Sequence, residues 1–444
     1  MAASPEPSAA ARRVCVIGLD GTPASLLRRL IAAGELPALA SLAAEGVGEA
    51  VAPLPPVSSV SWASATTGRS PGAHGVFGFV ERQRDSYDLT FTNSTSIRVP
   101  TAWELAGRAG LRSLVVNIPG TYPARQIDGV IVTGFVSPTL ERAVHPPRVL
   151  PELQALDYAV DVDLGLGHRD LGAFVDELFR AHAVRRRAFR LLLEQEEWQL
   201  AYLAFTGTDR LHHFLWAQME DGEEPWASHF SRYYREVDAG VAEMVELLPP
   251  ETEIVLLSDH GFCRLDQEIY LNRLLERDGW LTLGGAGDRL AELDAARTRA
   301  FALDPSRLYV NVAGREPQGS VPADDLDRVT EELRRWAEEQ PWVERAVSRE
   351  EAFSGPESGH GPDLVLITKR GFDPKGSLRS TGTEGKGALT GMHTYDDAFV
   401  VHAGRRPSAE AVPVEAVAAT ALSLLGVPAE QLDAAPLSPL SPRI

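Results

Sequence analysis

Three acidic side chains come just after apolar runs that are typical of buried strands. Asp20, Asp209 and Asp259 each lie within a few residues of the carboxyl end of such a run. An uninterrupted apolar run indicates a strand covered on both faces of a parallel sheet, and open α/β sheets bind ligands beyond the carboxyl ends of their strands. We therefore expect these three carboxylates to lie close together at one edge of a single sheet.

A histidine accompanies one of these acids at a helical spacing. Asp209 and His213 are four residues apart, which places both side chains on one face of a helical turn, whereas His212 points elsewhere. His393, in a short segment that precedes another apolar run, adds a further imidazole of the kind that binds transition metals. The sequence therefore contains a candidate Asp/His/His metal site.

A second candidate site combines the other two acids with a neighbouring histidine. Asp20, Asp259 and His260 form an Asp/Asp/His set, and carboxylate oxygen mixed with imidazole nitrogen suits Zn²⁺ or Mn²⁺. Two such ions about 4 Å apart can hold both the attacking and the leaving oxygen of a phosphoryl transfer. Each of these residues alone is more often structural, but their shared position after strands favours a metal centre.

A serine pair after two prolines supplies a candidate nucleophile. Ser58 and Ser59 precede the Ala- and Ser-rich run 60–67, and this pattern predicts a helix that begins at one of the two serines. The amides and the dipole at a helix N-terminus favour an anion. A hydroxyl at this position is either a nucleophile or only a helix cap, and from the residues alone the cap is the more frequent role.

The alternation of apolar and helical segments predicts an α/β fold with a mostly parallel central sheet, helices on both faces and an inserted smaller α+β lobe. The arginine run 185–187 is expected on a solvated helix face. The predicted parts are a metal-binding catalytic core at 13–263 and 391–430 with a helical insert at about 137–197, an inserted cap or accessory lobe at 264–390, and flexible tails at 1–12 and 431–444.

Composition limits the partners of the chain. The 444 residues carry a formal net charge of −19, which opposes binding to a nucleic-acid polymer or an anionic membrane. A small anionic substrate would then need metal ions to attract it. The two cysteines are too few for a disulfide framework, and neither a signal peptide nor a membrane span is indicated, so we expect a cytoplasmic location.

The order of the motifs resembles that of the alkaline phosphatase superfamily, over roughly residues 13–430. The chain is most similar to the type I phosphodiesterase/nucleotide pyrophosphatase branch and its bacterial phosphohydrolase/phosphomutase relatives. The motifs are Gly-Leu-Asp-Gly at 18–21, Ser58 nine residues before Thr67-Gly68, the segment 71–75, Asp209 with His213, Ser-Asp-His-Gly at 258–261 and Gly-Met-His at 391–393.

This resemblance implies roles for individual residues. Ser58 would be the nucleophile and would bridge two divalent ions, with Zn²⁺ expected and Mn²⁺ as the alternative. Asp20, Asp259 and His260 would hold one ion, and Asp209, His213 and His393 the other. Ser61 stands where nucleotide pyrophosphatases have an asparagine that holds a phosphate oxygen, so nucleotide diesters are in doubt as substrates. Ser59 is an alternative nucleophile, and Ser59, Asn117 and Arg69 are candidate substrate-binding residues.

We therefore expect a two-metal phosphohydrolase that cleaves a phosphodiester or a small phosphoester through a covalent phosphoserine. A phosphomutase would use the same groups, and sulfate or phosphonate ester hydrolysis occurs on the same fold. The Cys/Ser-x-Pro-x-Arg signature of sulfatases is absent at Ser58. A metal-stabilised binding module is the alternative outside enzymes, and the complete ligand set argues against it. The oligomeric state stays open.

Overall fold

The computed structural model describes residues 13–285, 288–428 and 431–437 of the chain. The predicted tail at 1–12 and residues 438–444 lie outside the described residues. Within the described residues, no helix is both long enough and apolar enough to cross a membrane.

Most strands of the described residues are short and belong to one of several sheets. In chain order they are β1 (Val14–Leu19), β2 (Gly48–Val51), β3 (Val80–Arg82), β4 (Leu89–Phe91), β5 (Ser113–Ile118), β6 (Gly129–Thr133), β7 (Val144–His145), β8 (Leu200–Phe205), β9 (Glu253–Leu257), β10 (Gly261–Arg264), β11 (Gln267–Tyr270), β12 (Ala300–Leu303), β13 (Arg307–Val310), β14 (Val343–Ser348), β15 (Leu364–Thr368), β16 (Phe372–Lys375), β17 (Glu384–Gly385), β18 (Gly391–Thr394), β19 (Ala398–His402) and β20 (Val412–Pro413).

The helices range from a single turn to 25 residues. In the described residues they are, in chain order, α1 (Ala24–Ala32), α2 (Pro37–Leu42), α3 (Ser58–Thr67), α4 (Pro71–His74), α5 (Ala102–Arg108), α6 (Leu150–Ala155), α7 (Leu164–Arg169), α8 (Leu171–Gln195), α9 (Gly207–Asp221), α10 (Trp226–Leu247), α11 (Leu271–Arg277), α12 (Leu326–Glu338), α13 (Arg349–Ala352) and α14 (Ala416–Leu424).

Nine strands form the central sheet, in the order β20-β2-β19-β9-β1-β8-β5-β6-β7. β1 lies in the middle and runs parallel to both β8 and β9. β19 is antiparallel to β9 and β2, and β7 is antiparallel to β6. All six residues of β1 are buried, as its apolar run predicted. The sheet is therefore mostly parallel, and the predicted fold class is confirmed.

Alternate side chains of β1 face two different layers of helices. Cys15, Ile17 and Leu19 belong to the apolar core that includes residues of α1, α8, α9 and α10. Val14 and Val16 belong to the core on the other face, with residues of α3, α5 and α14. Because successive side chains of a strand point to opposite faces, a strand covered on both sides must be apolar throughout. The abrupt change to Asp20 after this run marks the end of the covered strand.

The residues between β10 and β18 form a second, smaller apolar core. β12, β13, β15 and β14 form a four-stranded antiparallel sheet, which packs with α11 and α12 around residues such as Phe301, Leu308 and Leu333. β10 and β18 pair antiparallel, so the two ends of this segment lie side by side. We infer from this pairing that 264–390 is a lobe inserted into the catalytic core.

The arginine run in the helical insert does not form a solvated face as the sequence predicted. Arg185 is buried, and Arg186 is half-buried in ion pairs with Glu236 and Glu243 of α10. Only Arg187 of the run is exposed. Arg186 is covered because α8 packs against α10, and this packing buries part of the polar face of α8.

Residues 431–437, which the sequence assigned to a flexible tail, contact the core. The carboxylate of Asp433 accepts hydrogen bonds from Arg69 Nε (2.9 Å) and from the amide of Ser70 (2.8 Å). The amide of Leu437 donates to a threonine hydroxyl of α14 (2.8 Å). These contacts tie the segment to the end of α3 and to α14, so it is not free.

Candidate metal centre

The structure brings the six predicted ligands together at the carboxyl edge of the central sheet. One ligand follows β1 directly and two follow β9, while two lie on the first turns of α9, just after β8, and the last lies on β18. β8 and β9 flank β1, which explains why residues far apart in the chain meet. The six are Asp20, Asp209, His213, Asp259, His260 and His393.

The first candidate set forms a tight cluster. His393 Nε2 lies 3.1 Å from Asp209 Oδ1 and 3.0 Å from His213 Nε2, and His213 Nε2 lies 3.5 Å from Asp209 Oδ1. One ligand atom from each of the three residues lies within 4.8 Å of the others. This spacing suits a single ion that all three side chains contact at about 2.0–2.2 Å.

The second candidate set includes Asp209, which the sequence analysis assigned to the first set. Asp20, Asp209 and His260 offer ligand atoms within 4.8 Å of one another, so Asp209 lies between the two clusters. Asp259 is also close, with Oδ2 3.4 Å from His260 Nε2. Its Oδ1 accepts a hydrogen bond from the amide of Gly21 (3.0 Å), in a turn with φ of +64° that glycine adopts without strain.

The three imidazoles are oriented for metal binding by backbone carbonyls. Each contacts a carbonyl oxygen through Nδ1, which must donate because a carbonyl can only accept. Nε2 then carries the free lone pair, and it faces the cluster in all three residues. The contacts are His213 Nδ1 to Gly391 O (3.2 Å), His260 Nδ1 to Gly261 O (3.0 Å) and His393 Nδ1 to Pro56 O (3.1 Å).

Several hydrogen-bond acceptors in the cluster have no donor among the described residues. Oδ2 of Asp20 and Oδ2 of Asp259 are buried without a hydrogen-bond partner among the described residues. The lone pairs of His213 Nε2 and His393 Nε2 face each other across 3.0 Å. Buried acceptors that face one another are costly unless a cation lies between them. The residues present therefore fit divalent metal ions.

Burial shifts the protonation of these groups strongly. Burial, followed by the charges of Asp259 and Asp209, raises the pKa of Asp20 well above its ordinary value. Burial also raises the pKa of Asp259 to about 7 and lowers the pKa of His213 to about 4. The imidazole is therefore neutral at neutral pH, as a metal ligand must be, and the crowded carboxylates need a cation to remain ionised together.

Ser58 is the first residue of α3, and its hydroxyl faces the cluster. Ser58 Oγ lies 3.2 Å from His260 Nε2 and 3.3 Å from Asp20 Oδ1. Val57 occupies the cap position, and α3 has no side-chain cap. The hydroxyl of Ser58 is therefore directed at the candidate metal ligands and not at the helix amides that a capping serine would contact.

The three candidate substrate-binding residues have no hydrogen bond with the ligand cluster among the described residues. Arg69 is bound to Asp433 beyond the far end of α3. Asn117 donates through Nδ2 to the carbonyl of Ala204 (2.9 Å) and so links β5 to β8. Ser59 Oγ is buried without a hydrogen-bond partner among the described residues and lines a narrow crevice on another side of α3. The structure therefore gives Arg69 and Asn117 structural contacts.

Sequence reasoning missed one charged residue next to the metal centre. Arg210 Nη1 donates to Asp209 Oδ2 (2.9 Å), and its Nη2 donates to Asp161 Oδ2 (2.7 Å). Its guanidinium carbon lies 4.0 Å from the ring centroid of Phe135. The position of Arg210 directly after Asp209 was the available signal, but nothing in the sequence indicated that Asp161 of the helical insert would reach it.

His212 supports the turn that carries the first ligand. His212 Nδ1 lies 3.0 Å from the carbonyl of Gly21, and His212 Nε2 lies 2.8 Å from the hydroxyl of Tyr234. It therefore points away from the cluster, as its place in the helical turn predicted. Thr208 also stabilises this turn, because its hydroxyl donates to the carbonyl of Asp20 (2.6 Å).

A cavity of about 380 Å³ opens beside this cluster. His213 and His393 form part of its wall, together with Pro56 and Val57, which precede α3. The opposite wall comes from β15 and β16 of the inserted lobe. A molecule in this cavity would therefore lie between the metal centre and the lobe.

The mostly parallel sheet with helices on both faces, which carries the cluster of carboxylates and imidazoles at its carboxyl edge, defines an α/β fold of the alkaline phosphatase type. The family model of type I phosphodiesterase / nucleotide pyrophosphatase matches residues 14–396, and the chain belongs to this family, which is part of the alkaline phosphatase superfamily. The protein is therefore a phosphoric ester hydrolase of a generally divalent-metal-dependent family.

Solved structures with the same fold include two kinds of enzyme. Phosphonoacetate hydrolase from Sinorhizobium meliloti 1021, in complex with phosphonoformate, is 18% identical with a TM-score of 0.60, over 94% of this chain and 96% of that chain. An inactive variant of murine ectonucleotide pyrophosphatase / phosphodiesterase 5, in complex with AMP, is 14% identical with a TM-score of 0.57. The match covers 96% of this chain and 97% of that chain. At these identities the likeness concerns the fold. A comparison with curated proteins gave no match.

Proposed function

We propose that the protein hydrolyses a phosphodiester or a small phosphoester through a covalent phosphoserine at Ser58. Two divalent ions, Zn²⁺ or Mn²⁺, would be held by Asp20, Asp259 and His260 and by Asp209, His213 and His393. The observation that carries the proposal is the hydroxyl of Ser58, which lies 3.2 Å from His260 Nε2 and 3.3 Å from Asp20 Oδ1 and caps no helix amide.

Ser58 acts as the nucleophile in the proposed reaction. Its Oγ, whose hydroxyl donates to Asp20 Oδ1, bonds to phosphorus while the bond from phosphorus to the alcohol oxygen of the leaving group breaks. The hydroxyl loses its proton in this step, and the leaving oxygen takes one up to form the alcohol. Water then attacks the same phosphorus, and Ser58 Oγ leaves and regains a proton. When bound, divalent ions lower the pKa of the hydroxyl and offset the charge on the leaving oxygen.

The beginning of α3 orients the phosphoryl group. α3 has ten residues, and its first-turn amides and dipole favour an anion beside Ser58. Trp62, fully buried one turn further on, packs its ring against β1 at Gly18 and fixes the helix to the sheet. The nucleophile is therefore carried by an element that cannot shift without disturbing the central strand.

The same groups would serve a phosphomutase, which returns the phosphoryl group to its substrate, or an enzyme of sulfate or phosphonate esters. Product analysis distinguishes these reactions. A hydrolase releases free phosphate or a phosphomonoester in proportion to the alcohol released. A phosphomutase returns the phosphoryl group to its substrate and therefore releases no phosphate product. 4-Nitrophenyl sulfate and a phosphonate ester, tested beside bis-4-nitrophenyl phosphate and 4-nitrophenyl phosphate, separate the ester classes.

The decisive experiment compares Ser58→Ala with Ser59→Ala. We expect Ser58→Ala to retain its metal content and melting temperature but to lose turnover by orders of magnitude, because the attacking oxygen is absent. Ser59→Ala should retain most of its turnover. Mass spectrometry of the parental enzyme, quenched in acid during turnover, should find on Ser58 a phosphate from a monoester substrate, or a phosphate that retains the second ester group from a diester.

A different outcome would remove Ser58 from the mechanism. If it were only structural, its loss would cost about 1 kcal/mol of stability, typical of one hydrogen bond, and leave the chemistry largely intact. A Ser58→Ala enzyme that melts earlier but turns over at nearly the parental rate would therefore contradict the proposal.

A further inference from the structure

We propose that the organic group of the substrate is largely apolar and carries no negative charge, and that it occupies the cavity between the metal centre and the inserted lobe. This inference rests on the proposed function, since it names the kind of ester that the same site hydrolyses. It sets this chain apart from an enzyme built for nucleotide polyphosphates, whose substrates carry further negative charge.

The wall of the cavity on the core side is apolar. Val57, directly before Ser58, and Phe79, just before β3, both line it. Leu389 and Met392, on either side of the start of β18, continue this surface next to His393. An organic group bound to a phosphorus atom beside Ser58 and His393 would therefore meet hydrocarbon first.

The lobe side of the cavity also contributes apolar side chains, beside the charged residues of its wall. Leu366 and Ile367 of β15 both line the cavity, and Leu366 also belongs to the apolar core of the lobe. Pro374 of β16 lies beside them in the same wall. Removing apolar surface from water favours binding by roughly 25 cal/mol per Å², so the apolar side chains on both sides of the cavity favour an apolar ligand.

The two cations in the wall are already neutralised. Arg370 Nη2 donates to Asp396 Oδ2 (2.9 Å), and Lys375 Nζ pairs with the carboxylate of Asp373. All four of these residues line the cavity. A second phosphate or a carboxylate on the substrate would have to share each cation with a carboxylate that already contacts it.

Two further carboxyl groups line the cavity, and no third cation of Lys or Arg accompanies them there. Asp304 is half-buried at the wall, and Glu344 is exposed. Apart from the histidines, the wall therefore has four carboxyl groups and two cations. Like charges in a cleft repel a ligand of the same sign, so an additional negative charge on the organic group weakens binding.

The test uses symmetric diesters, so that the same group enters the cavity whichever ester bond is cleaved. The metal-loaded enzyme is assayed with diphenyl phosphate and with bis(4-carboxyphenyl) phosphate, and the released phenols are quantified. We expect kcat/KM for diphenyl phosphate to be higher by at least about tenfold, although 4-carboxyphenol is the better leaving group. Equal values, or a preference for the carboxylated ester, would overturn the proposal.

Three variants test whether the cavity causes this preference. Ile367→Lys places a cation in the apolar wall and should reduce the ratio of the two kcat/KM values at least severalfold, and Glu344→Gln should reduce it less. Glu338→Gln makes the same change on α12, outside the cavity wall, and should leave the ratio as in the parent. An unchanged ratio in Ile367→Lys would contradict the proposed place of the organic group.

Bis-4-nitrophenyl phosphate separates failure of this inference from failure of the proposed function. If the metal-loaded enzyme releases 4-nitrophenol from it but does not distinguish the two test diesters, the proposed function stands and the proposed substrate class is wrong. If it hydrolyses none of the three diesters, the proposed hydrolysis of phosphodiesters itself fails.

Discussion

Arg210 links the metal centre to the helical insert. It is buried, donates to Asp209 on one side and Asp161 on the other, and lies over the ring of Phe135. Such an arrangement holds one oxygen of Asp209 away from the centre and leaves Asp209 Oδ1 facing His393. Arg210 also supplies the positive charge that partly offsets the crowded carboxylates in the absence of metal ions.

Replacing Arg210 should therefore destabilise the metal-free protein most. We expect Arg210→Met to lower the free energy of unfolding of the metal-free protein by about 3–5 kcal/mol, because the buried carboxylate of Asp209 and the half-buried carboxylate of Asp161 lose their partner. Saturating Mn²⁺ should restore more stability to this variant than it adds to the parent. Arg210→Lys, which keeps the charge, is the control and should lose less. Urea unfolding with and without Mn²⁺ measures these differences, and an equal loss under both conditions would mean that Arg210 acts only through packing.

Glu415, at the start of α14, makes stability depend on pH. Burial raises the pKa of its carboxyl from 4.5 to about 7, although a hydrogen bond with Ser64 favours the charged form, and Asp433 raises it further. The folded protein then binds a proton that the unfolded chain releases between pH 4.5 and 7. The free energy of unfolding should fall as pH rises through this window, by at most roughly 3 kcal/mol.

Glu415→Gln removes this titration. We expect the variant to be more stable than the parent at pH 8 and to lose the decline between pH 5 and 7, because the amide stays neutral in both states. Urea unfolding at several pH values from 5 to 8 measures the effect. Parallel curves for parent and variant would show that another group controls this part of the pH dependence.

At the scale of elements, the contact between β1 and α3 positions the nucleophile. A Cβ at Gly18 would lie 2.2 Å from Cη2 of Trp62, so strand and helix approach as closely as glycine permits. β1 ends in Asp20 and α3 begins at Ser58, and Ser58 Oγ lies 3.3 Å from Asp20 Oδ1. The separation of these two elements therefore determines the geometry of the proposed attack.

Gly18→Ala should push α3 away from β1. We expect a loss of about 1–3 kcal/mol in the free energy of unfolding from overpacking, together with lower kcat even where the protein is fully folded. Gly107→Ala in α5 is the control, because a Cβ there meets only Asp128 Cβ at 3.6 Å, and alanine favours helix. A Gly18→Ala enzyme with lower stability but parental kcat would show that the spacing does not control catalysis.

Features of the fold and the candidate site could be predicted from the sequence where neighbouring residues determine them, and not where distant residues do. β1 and the position of Asp20 follow from one apolar run and its end, and the spacing of Asp209 and His213 follows from the helical repeat. The contact of Asp161 with Arg210 spans 49 residues and depends on how the insert packs. The burial of Arg185 has the same cause, since the sequence of α8 does not state which neighbour covers it.

At the scale of the whole molecule, the metal centre should contribute to global stability. Its three buried carboxylates come from separate parts of the sheet edge, so ions that hold them together would oppose unfolding of the entire core. A chelator should therefore lower the melting temperature, and Zn²⁺ or Mn²⁺ should restore it. An ion whose free concentration is about 100 times its Kd raises the free energy of unfolding by roughly 2.7 kcal/mol.

Two neighbouring histidines provide the matched variants for this prediction. We expect His213→Ala to lose one ion per chain by elemental analysis, together with part of the metal-dependent rise in melting temperature. His212→Ala should melt earlier, because its bonds to Gly21 and Tyr234 are lost, but should keep both ions. Equal metal contents in the two variants would contradict the assignment of His213 as a ligand.

The pairing of β10 with β18 also has a consequence for how the protein is made. Ser58 and five of the six proposed ligands are translated before the lobe, whereas His393 leaves the ribosome only after the whole lobe has been synthesised. The nascent chain therefore carries a nucleophile beside an incomplete set of ligands for about 130 residues of elongation. This takes on the order of ten seconds at about 5–20 residues per second. Full phosphoesterase activity would then begin only after β18 has been synthesised and has closed against β10.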